Sequence, residues 1–228
     1  MQECILQLKP GKAVSFDGIY NEHIIYGSSC VNVHFCLLFN ALLRHGVVPS
    51  DFCSGVIIPL LKGKYGNPSN LDMYRGITIA PAASKLFELM MNFCTVIPCS
   101  SVLKRIVVIQ LLFSYFNKLG SKVCCAFLDA SKAFDKVLHN GLFLKLINRN
   151  VPVGFVRLMK NWYSRLCCMV RWNCITGAAF RVLCGVRQGG ILSPILFAIY
   201  VDSLISDLRQ CSYGLYIDTL FVGCVVLC

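Results

Sequence analysis

The chain has 228 residues, enough for one domain or two closely packed subdomains around a sizeable core. Lys and Arg number 22 against 11 Asp and Glu, and the net charge of +11 suits a polyanionic partner such as nucleic acid. The apolar fraction is 56%, yet no apolar run reaches the ~18 residues of a membrane span, so neither a transmembrane helix nor a membrane partner is predicted.

Met1-Gln2-Glu3-Cys4 does not read as the start of a signal peptide. The 15 cysteines are odd in number and contain no Cys-x-x-Cys pair, which argues against a disulfide scaffold and against a zinc centre. They read instead as buried, reduced thiols of an intracellular protein, nuclear or cytoplasmic.

In chain order, Lys9-Pro10-Gly11-Lys12 through Asp17-Gly18 is rich in turn residues and reads as loop. A helix is predicted from about Tyr20 to Arg44, with Val33, Leu37, Leu38, Ala41 and Leu42 near helical spacing and Gly46 and Pro49 ending it. Val56 to Leu61 reads as a strand. A basic turn from Lys62 to Pro68 comes next, then Tyr74-Arg75-Gly76-Ile77-Thr78. Ala82 to Phe93 is predicted helical on the face formed by Leu86, Phe87, Leu89 and Met90, and a further helix is predicted from about Val102 to Leu119.

Val123 to Leu128 is an unbroken apolar run, the pattern of a strand buried on both faces. Asp129 stands where that strand leaves the core. A carboxylate fixed there opens toward a cleft and is placed for metal-dependent chemistry, although a strand-end Asp also serves to cap the next element. From Lys136 to Arg187 there are nine basic residues and no acidic one, which predicts a one-signed surface.

Helices are predicted at His139 to Asn148 and at Gly154 to Trp162, the second just after Pro152. Met169 to Trp172 and Phe180 to Val186 read as short strands around a Thr176-Gly177 turn, and Trp162, Tyr163 and Trp172 are assigned to the core rather than to base stacking. Gln188-Gly189-Gly190 opens a helix from Ser193-Pro194 to about Leu208, where glycines let the backbone approach a ligand closely. Tyr213 to Ile217 and Leu220 to Leu227 read as a hairpin around Asp218-Thr219.

Two of these stretches resemble one family. The pattern Phe-x-Asp-x-x-x-Ala-Phe-Asp from Phe127 to Asp135 resembles the first catalytic motif of reverse transcriptases of LINE-type, non-LTR retrotransposons. Arg187-Gln188-Gly189-Gly190-Ile191-Leu192-Ser193-Pro194 resembles the second palm motif, in the same order along the chain.

The resemblance implies an α+β fold: the fingers and partial palm of a right-hand polymerase, with an antiparallel palm sheet backed by helices. Residues 1–50 would form a lead-in and helix, 51–121 the fingers and 122–228 the palm. The strand from Val123 to Asp129 would neighbour that from Leu220 to Leu227. The implied activity is RNA-directed DNA polymerisation on an RNA template and a DNA primer, with dNTP as substrate and Mg2+ as cofactor. No oligomeric state is implied.

By the same resemblance Asp129 is the catalytic metal ligand, while Lys62 and Arg75 grip the triphosphate. Phe134 is the steric gate against a 2′-hydroxyl, and Gln188 and Gly189 line the nucleotide and the template base. Asp135 is expected to start a helix or to make a hydrogen bond.

The sequence departs from the family at three places. Gly76 stands where many relatives have Pro, and Cys94 to Ser101 replaces a Gln- and Gly-containing finger segment. No Tyr-Ala-Asp-Asp occurs, the strand that would lead into it ending in Val225-Val226-Leu227-Cys228. The expectation is therefore a palm truncated before that motif, with one carboxylate for two metals about 3.5–4 Å apart and no activity as given. The alternative is a non-catalytic nucleic-acid-binding protein.

Overall fold

The computed structural model describes residues 1–63, 67–94, 111, 113–120, 122, 132–210, 216–217 and 220–221. Two short helices open the chain, α1 (Gln2–Leu6) and α2 (Asn21–Ile25), followed by the long α3 (Ser29–His45). The single helix expected from Tyr20 to Arg44 is thus two, broken at Tyr26-Gly27-Ser28. Ser28 takes an extended conformation and begins α3 afresh, its carbonyl accepting from the Val31 N–H at 2.9 Å. Helical spacing continues on both sides of the break, so periodicity alone does not reveal it. α3 ends as expected at Gly46, which adopts the left-handed conformation.

A turn of 3-10 helix, Ser50–Cys53, leads into β1 (Ser54–Leu61), which pairs antiparallel with β2 (Tyr74–Ile79). Then come α4 (Ala82–Cys94), the helical residues 113–118 (α5), α6 (His139–Asn148) and α7 (Val153–Ser164). β3 (Cys167–Trp172), β4 (Ile175–Thr176) and β5 (Phe180–Arg181) precede α8 (Ser193–Gln210). A two-stranded ladder, β6 (Tyr216–Ile217) with β7 (Leu220–Phe221), is antiparallel as the hairpin reading required. The strand from Val123 to Asp129, and its expected pairing with Leu220 to Leu227, lie outside the described residues. No described helix is long and apolar enough to cross a membrane.

The five-stranded sheet runs β2-β1-β3-β4, with β5 also on β3, and helices back it. It is mixed rather than antiparallel. β1 and β3 are parallel, Ser54 opposite Cys167 and Ile57 opposite Val170, because the chain returns through helices instead of a hairpin. The β3–β4 turn is Asn173-Cys174, three residues earlier than the expected Thr176-Gly177, whose Thr176 belongs to β4. Trp172 faces Ile175 across a two-residue connection, and Asn173 supplies the positive φ of 54° that such a turn requires.

The core is mostly helical. Phe39 of α3, Leu86 and Phe87 of α4, Leu142 and Leu146 of α6, Leu158, Met159 and Trp162 of α7, and Leu196 and Ile199 of α8 are fully enclosed. Trp162 anchors the segment before β1: its indole N–H donates to the Phe52 carbonyl at 2.8 Å, and its ring packs on Phe52 and Phe87. Tyr163 is buried too, whereas Trp172 is 45% exposed against the Tyr74 ring, so the assignment of Trp172 to the core is corrected. Cys4, Cys53 and Cys168 are buried, while Cys30, Cys174 and Cys184 are exposed, contrary to the uniform burial expected.

Candidate functional site

The expected site residues lie on three pieces of backbone that meet at the outer edge of β2. Lys62 immediately follows β1, its N–H bonded to the Met73 carbonyl at 2.7 Å, and Arg75 sits on β2 opposite Leu60. Phe134 belongs to a turn of 3-10 helix, Ala133–Lys136. Gln188 and Gly189 form the turn before α8. Asp129 lies outside the described residues.

The second and third pieces are stitched together by main-chain bonds. The Gly185 N–H donates to the Val137 carbonyl at 2.7 Å and the Val186 N–H to the Phe134 carbonyl at 2.8 Å. Gly185 has φ +91°, and a Cβ there would stand 3.0 Å from backbone atoms of Phe134 and Asp135, so only glycine allows this approach. The Gln188 amide then donates to Asp135 Oδ1 at 2.9 Å, the hydrogen-bonding role expected of that aspartate.

The turn also docks on β2. As an edge strand β2 presents unpaired main-chain groups outward, and the Thr78 N–H donates to the Gln188 carbonyl at 2.7 Å. Gly189, with φ +98°, passes so close that a Cβ would lie 3.2 Å from the Thr78 carbonyl oxygen. Two motifs about fifty residues apart in sequence therefore meet the β1–β2 hairpin at one place.

Beneath the turn, charge is buried. Glu88 of α4, only 4% exposed, accepts from the N–H groups of Ile191 and Leu192 at 2.5 and 3.1 Å, capping the entry to α8. Arg187, 8% exposed, donates to the Phe52 carbonyl at 3.1 Å and lies 5.0 Å over the Trp162 ring. Its Nη1 has no hydrogen-bond partner among the described residues. These two side chains line a cavity of about 10 Å³ with Met159, Trp162, Tyr163, Leu192 and Ser193, too small for a nucleotide. Sequence reasoning missed Glu88 altogether: an acid inside an apolar helical face was the available signal.

Above the turn, charge is exposed. Lys62 Nζ donates to the Asp72 carbonyl oxygen at 2.8 Å, and Lys132 Nζ pairs with Asp72 Oδ1 at 2.8 Å. The hydrogen bond from Lys132 and its charge, with Lys62 adding to them, hold the Asp72 carboxyl below the usual carboxylate range; Asp72 in turn raises the Lys132 ammonium. The Arg75 side chain is exposed and makes no ion pair or hydrogen bond with any described residue. Phe134 is half-buried, its ring stacked on Phe197 of α8 at 4.9 Å between centroids, so one face is taken by the core.

The one-signed surface expected between Lys136 and Arg187 is thinner than its sequence. Lys145 donates to the Tyr200 carbonyl and to Ser203, and Arg149 pairs with Asp202. Arg165 and Arg181 donate to the Val48 and Ser164 carbonyls, and the Arg157 stem packs at Gly46. With Arg187 buried, Lys136, Arg157, Lys160 and Arg171 keep their charge free of any described partner. Among the described residues no three His, Cys, Asp or Glu side chains gather into a metal site, and Asp135 is engaged by Gln188.

Residues 63–226 match the family model described as reverse transcriptase (RNA-dependent DNA polymerase), a match that begins just after Lys62. The chain is similar to the probable RNA-directed DNA polymerase from transposon X-element of Drosophila melanogaster, 28% identical over 94% of this chain and 25% of that protein. It is also similar to the RNA-directed DNA polymerase from mobile element jockey of Drosophila funebris, 28% identical over 90% of this chain and 24% of that protein. A polyprotein of the type-2 retrotransposable element R2DM of Drosophila melanogaster is 30% identical over 49% of the chain. The chain spans about a quarter of the length of the X-element and jockey proteins.

Proposed function

This chain belongs to the reverse transcriptase (RNA-dependent DNA polymerase) family, and we propose that it supplies the nucleotide-binding face of a non-LTR retrotransposon polymerase that copies an RNA template onto a DNA primer. In this reading residues 1–50 are a lead-in, 51–121 the fingers and 122–228 the palm, a functional division rather than one of separate folding units, since β1 and β3 share a sheet. The observation that carries the reading is the docking of the Gln188-Gly189 turn on Thr78, with Asp135 tying that turn to the loop of the first motif.

Each residue then has a chemical task. Lys62 and Arg75 neutralise the triphosphate, a point charge and a planar fork on neighbouring strands. Phe134, held flat by Phe197, presents its remaining face to the sugar. Gln188 and Gly189 bring backbone close to the base pair, where only glycine leaves room. A divalent metal at Asp129 would supply activation of the primer hydroxyl and stabilisation of the leaving pyrophosphate. The described donor set does not by itself compose that metal site, so the tasks derived for this chain are binding and orientation.

The test is binding and extension measured side by side. The 228 residues contain no Tyr-Ala-Asp-Asp, so a polypeptide of these residues alone is expected to bind dNTP and primer–template without extending the primer in Mg2+ or Mn2+. Extension that disappears in Asp129→Ala would show that another acid completes the site; absence of nucleotide binding would remove the reading. A purely nucleic-acid-binding role is the second reading, favoured by the free charges of Lys136, Arg157, Lys160 and Arg171. Four such contacts predict a modest slope of log K against log salt, about −0.9 for each phosphate neutralised on duplex.

A further inference from the structure

Lys132 has no task in the proposed nucleotide-binding face, yet among the described residues it is the cation of the first-motif loop that reaches across to the β1–β2 hairpin. It stands in the left-handed conformation, φ 54°, an uncommon backbone for a lysine, and its carbonyl accepts from the Asp135 N–H at 3.0 Å. The loop is thereby set so that the ammonium meets Asp72. Asp72 is itself fixed, its N–H bonded to Asn70 Oδ1 at 3.0 Å, and it engages two ammonium groups at once: Lys62 through the carbonyl oxygen and Lys132 through the carboxylate.

We infer that Lys132 is a further phosphate-binding residue beside Lys62 and that the Asp72 carboxylate is a built-in stand-in for the phosphate, occupying Lys132 until a polyphosphate displaces it. The inference rests on the proposed assignment of Lys62 and extends it. Two cations from separate backbone segments meet at Asp72, Lys132 on its carboxylate and Lys62 on its main-chain carbonyl oxygen, which sets them side by side for a bridging polyanion. Both partners of the ion pair are open to solvent, the Lys132 side chain 60% and that of Asp72 73% exposed, so a ligand has access to both. Exposed pairs are weak and exchange readily, and a polyphosphate carries more charge than one carboxylate. Asp72 would hold the lysines in place while setting a modest threshold against weaker anions.

The experiment is metal-free titration with inorganic tripolyphosphate, read by calorimetry, on the native chain and on Asp72→Asn, Lys132→Ala, the double variant, Lys62→Ala and Lys12→Ala. Asp72→Asn should tighten binding roughly three- to tenfold, because a competing, repelling charge has gone. Lys132→Ala should weaken binding by a similar factor, and the double variant should match Lys132→Ala. Lys12→Ala, exposed and outside both proposed surfaces, should change nothing. Unchanged affinity in Asp72→Asn and Lys132→Ala, with loss in Lys62→Ala, would overturn this inference and leave the assignment of Lys62 standing. No binding in any chain, Asp72→Asn included, would overturn both.

Discussion

Two clusters of mixed charge flank the Gln188-Gly189 turn, and they differ in burial and in what answers their charge. Below it, Glu88 and Arg187 are buried, their bonds going to main-chain groups of Ile191, Leu192 and Phe52. Above it, Lys62, Asp72 and Lys132 are exposed and bond chiefly to one another. A buried charge loses its hydration and must be held by fixed dipoles, so it becomes part of the frame. An exposed charge keeps water as an alternative partner and can trade one anion for another at little cost. The lower cluster sets where the turn sits; the upper one is free to meet a ligand.

That contrast can be broken most directly at Arg187. Arg187→Ala should lower stability by about 3–5 kcal/mol in urea unfolding, since it removes a charged donor and a cation over Trp162 and leaves a cavity. A loss below about 1 kcal/mol would mean the lower cluster is not structural. Glu88→Ala should cost about 2–4 kcal/mol by stranding the Ile191 and Leu192 N–H groups, and Glu88→Gln, which keeps an acceptor, clearly less. Gly189→Ala should cost about 1–3 kcal/mol, through both the positive φ and the approach to Thr78.

A pH titration sharpens the same contrast. Burial raises the Tyr163 phenol above its ordinary 10.0, and burial also raises the thiols of Cys53 and Cys168 above 9.0. Groups raised in the folded state contribute stability that is present below their unfolded values and is lost as pH climbs above them. Unfolding is therefore expected to become easier above pH 9–10, and Tyr163→Phe should flatten the part above pH 10. The smallest effect belongs to the upper cluster. Asp72→Asn should leave the urea midpoint unchanged while altering tripolyphosphate affinity, and a shifted midpoint would mean that this exposed pair is also part of the frame.

Much of the frame was legible from spacing. α6 coincides with the helix expected from His139 to Asn148, and α7, α8 and α4 depart from expectation by a residue or two at their ends. Helical periodicity is a local property, and Leu142, Phe143 and Leu146 or Phe155, Met159 and Trp162 declare a buried face within a few turns. The break at Gly27 and the turn at Asn173 were hidden, because both depend on one residue's backbone conformation and not on a pattern. Resemblance singled out Lys62, Arg75, Phe134, Gln188 and Gly189, but without saying what each touches.

What the sequence determined by itself is therefore most of the longer helices, the family motifs and the net basic charge, which rest on local spacing or on composition alone. Tertiary structure alone decided that β1 and β3 run parallel, that Arg187 is buried while Lys132 is exposed, and that most of the basic residues between Lys136 and Arg187 are already engaged. The physical reason is that strand direction, burial and ion pairing are relations between distant segments. A lysine or arginine carries the same charge wherever it stands, and only the fold determines whether water, a backbone carbonyl or an aspartate answers it.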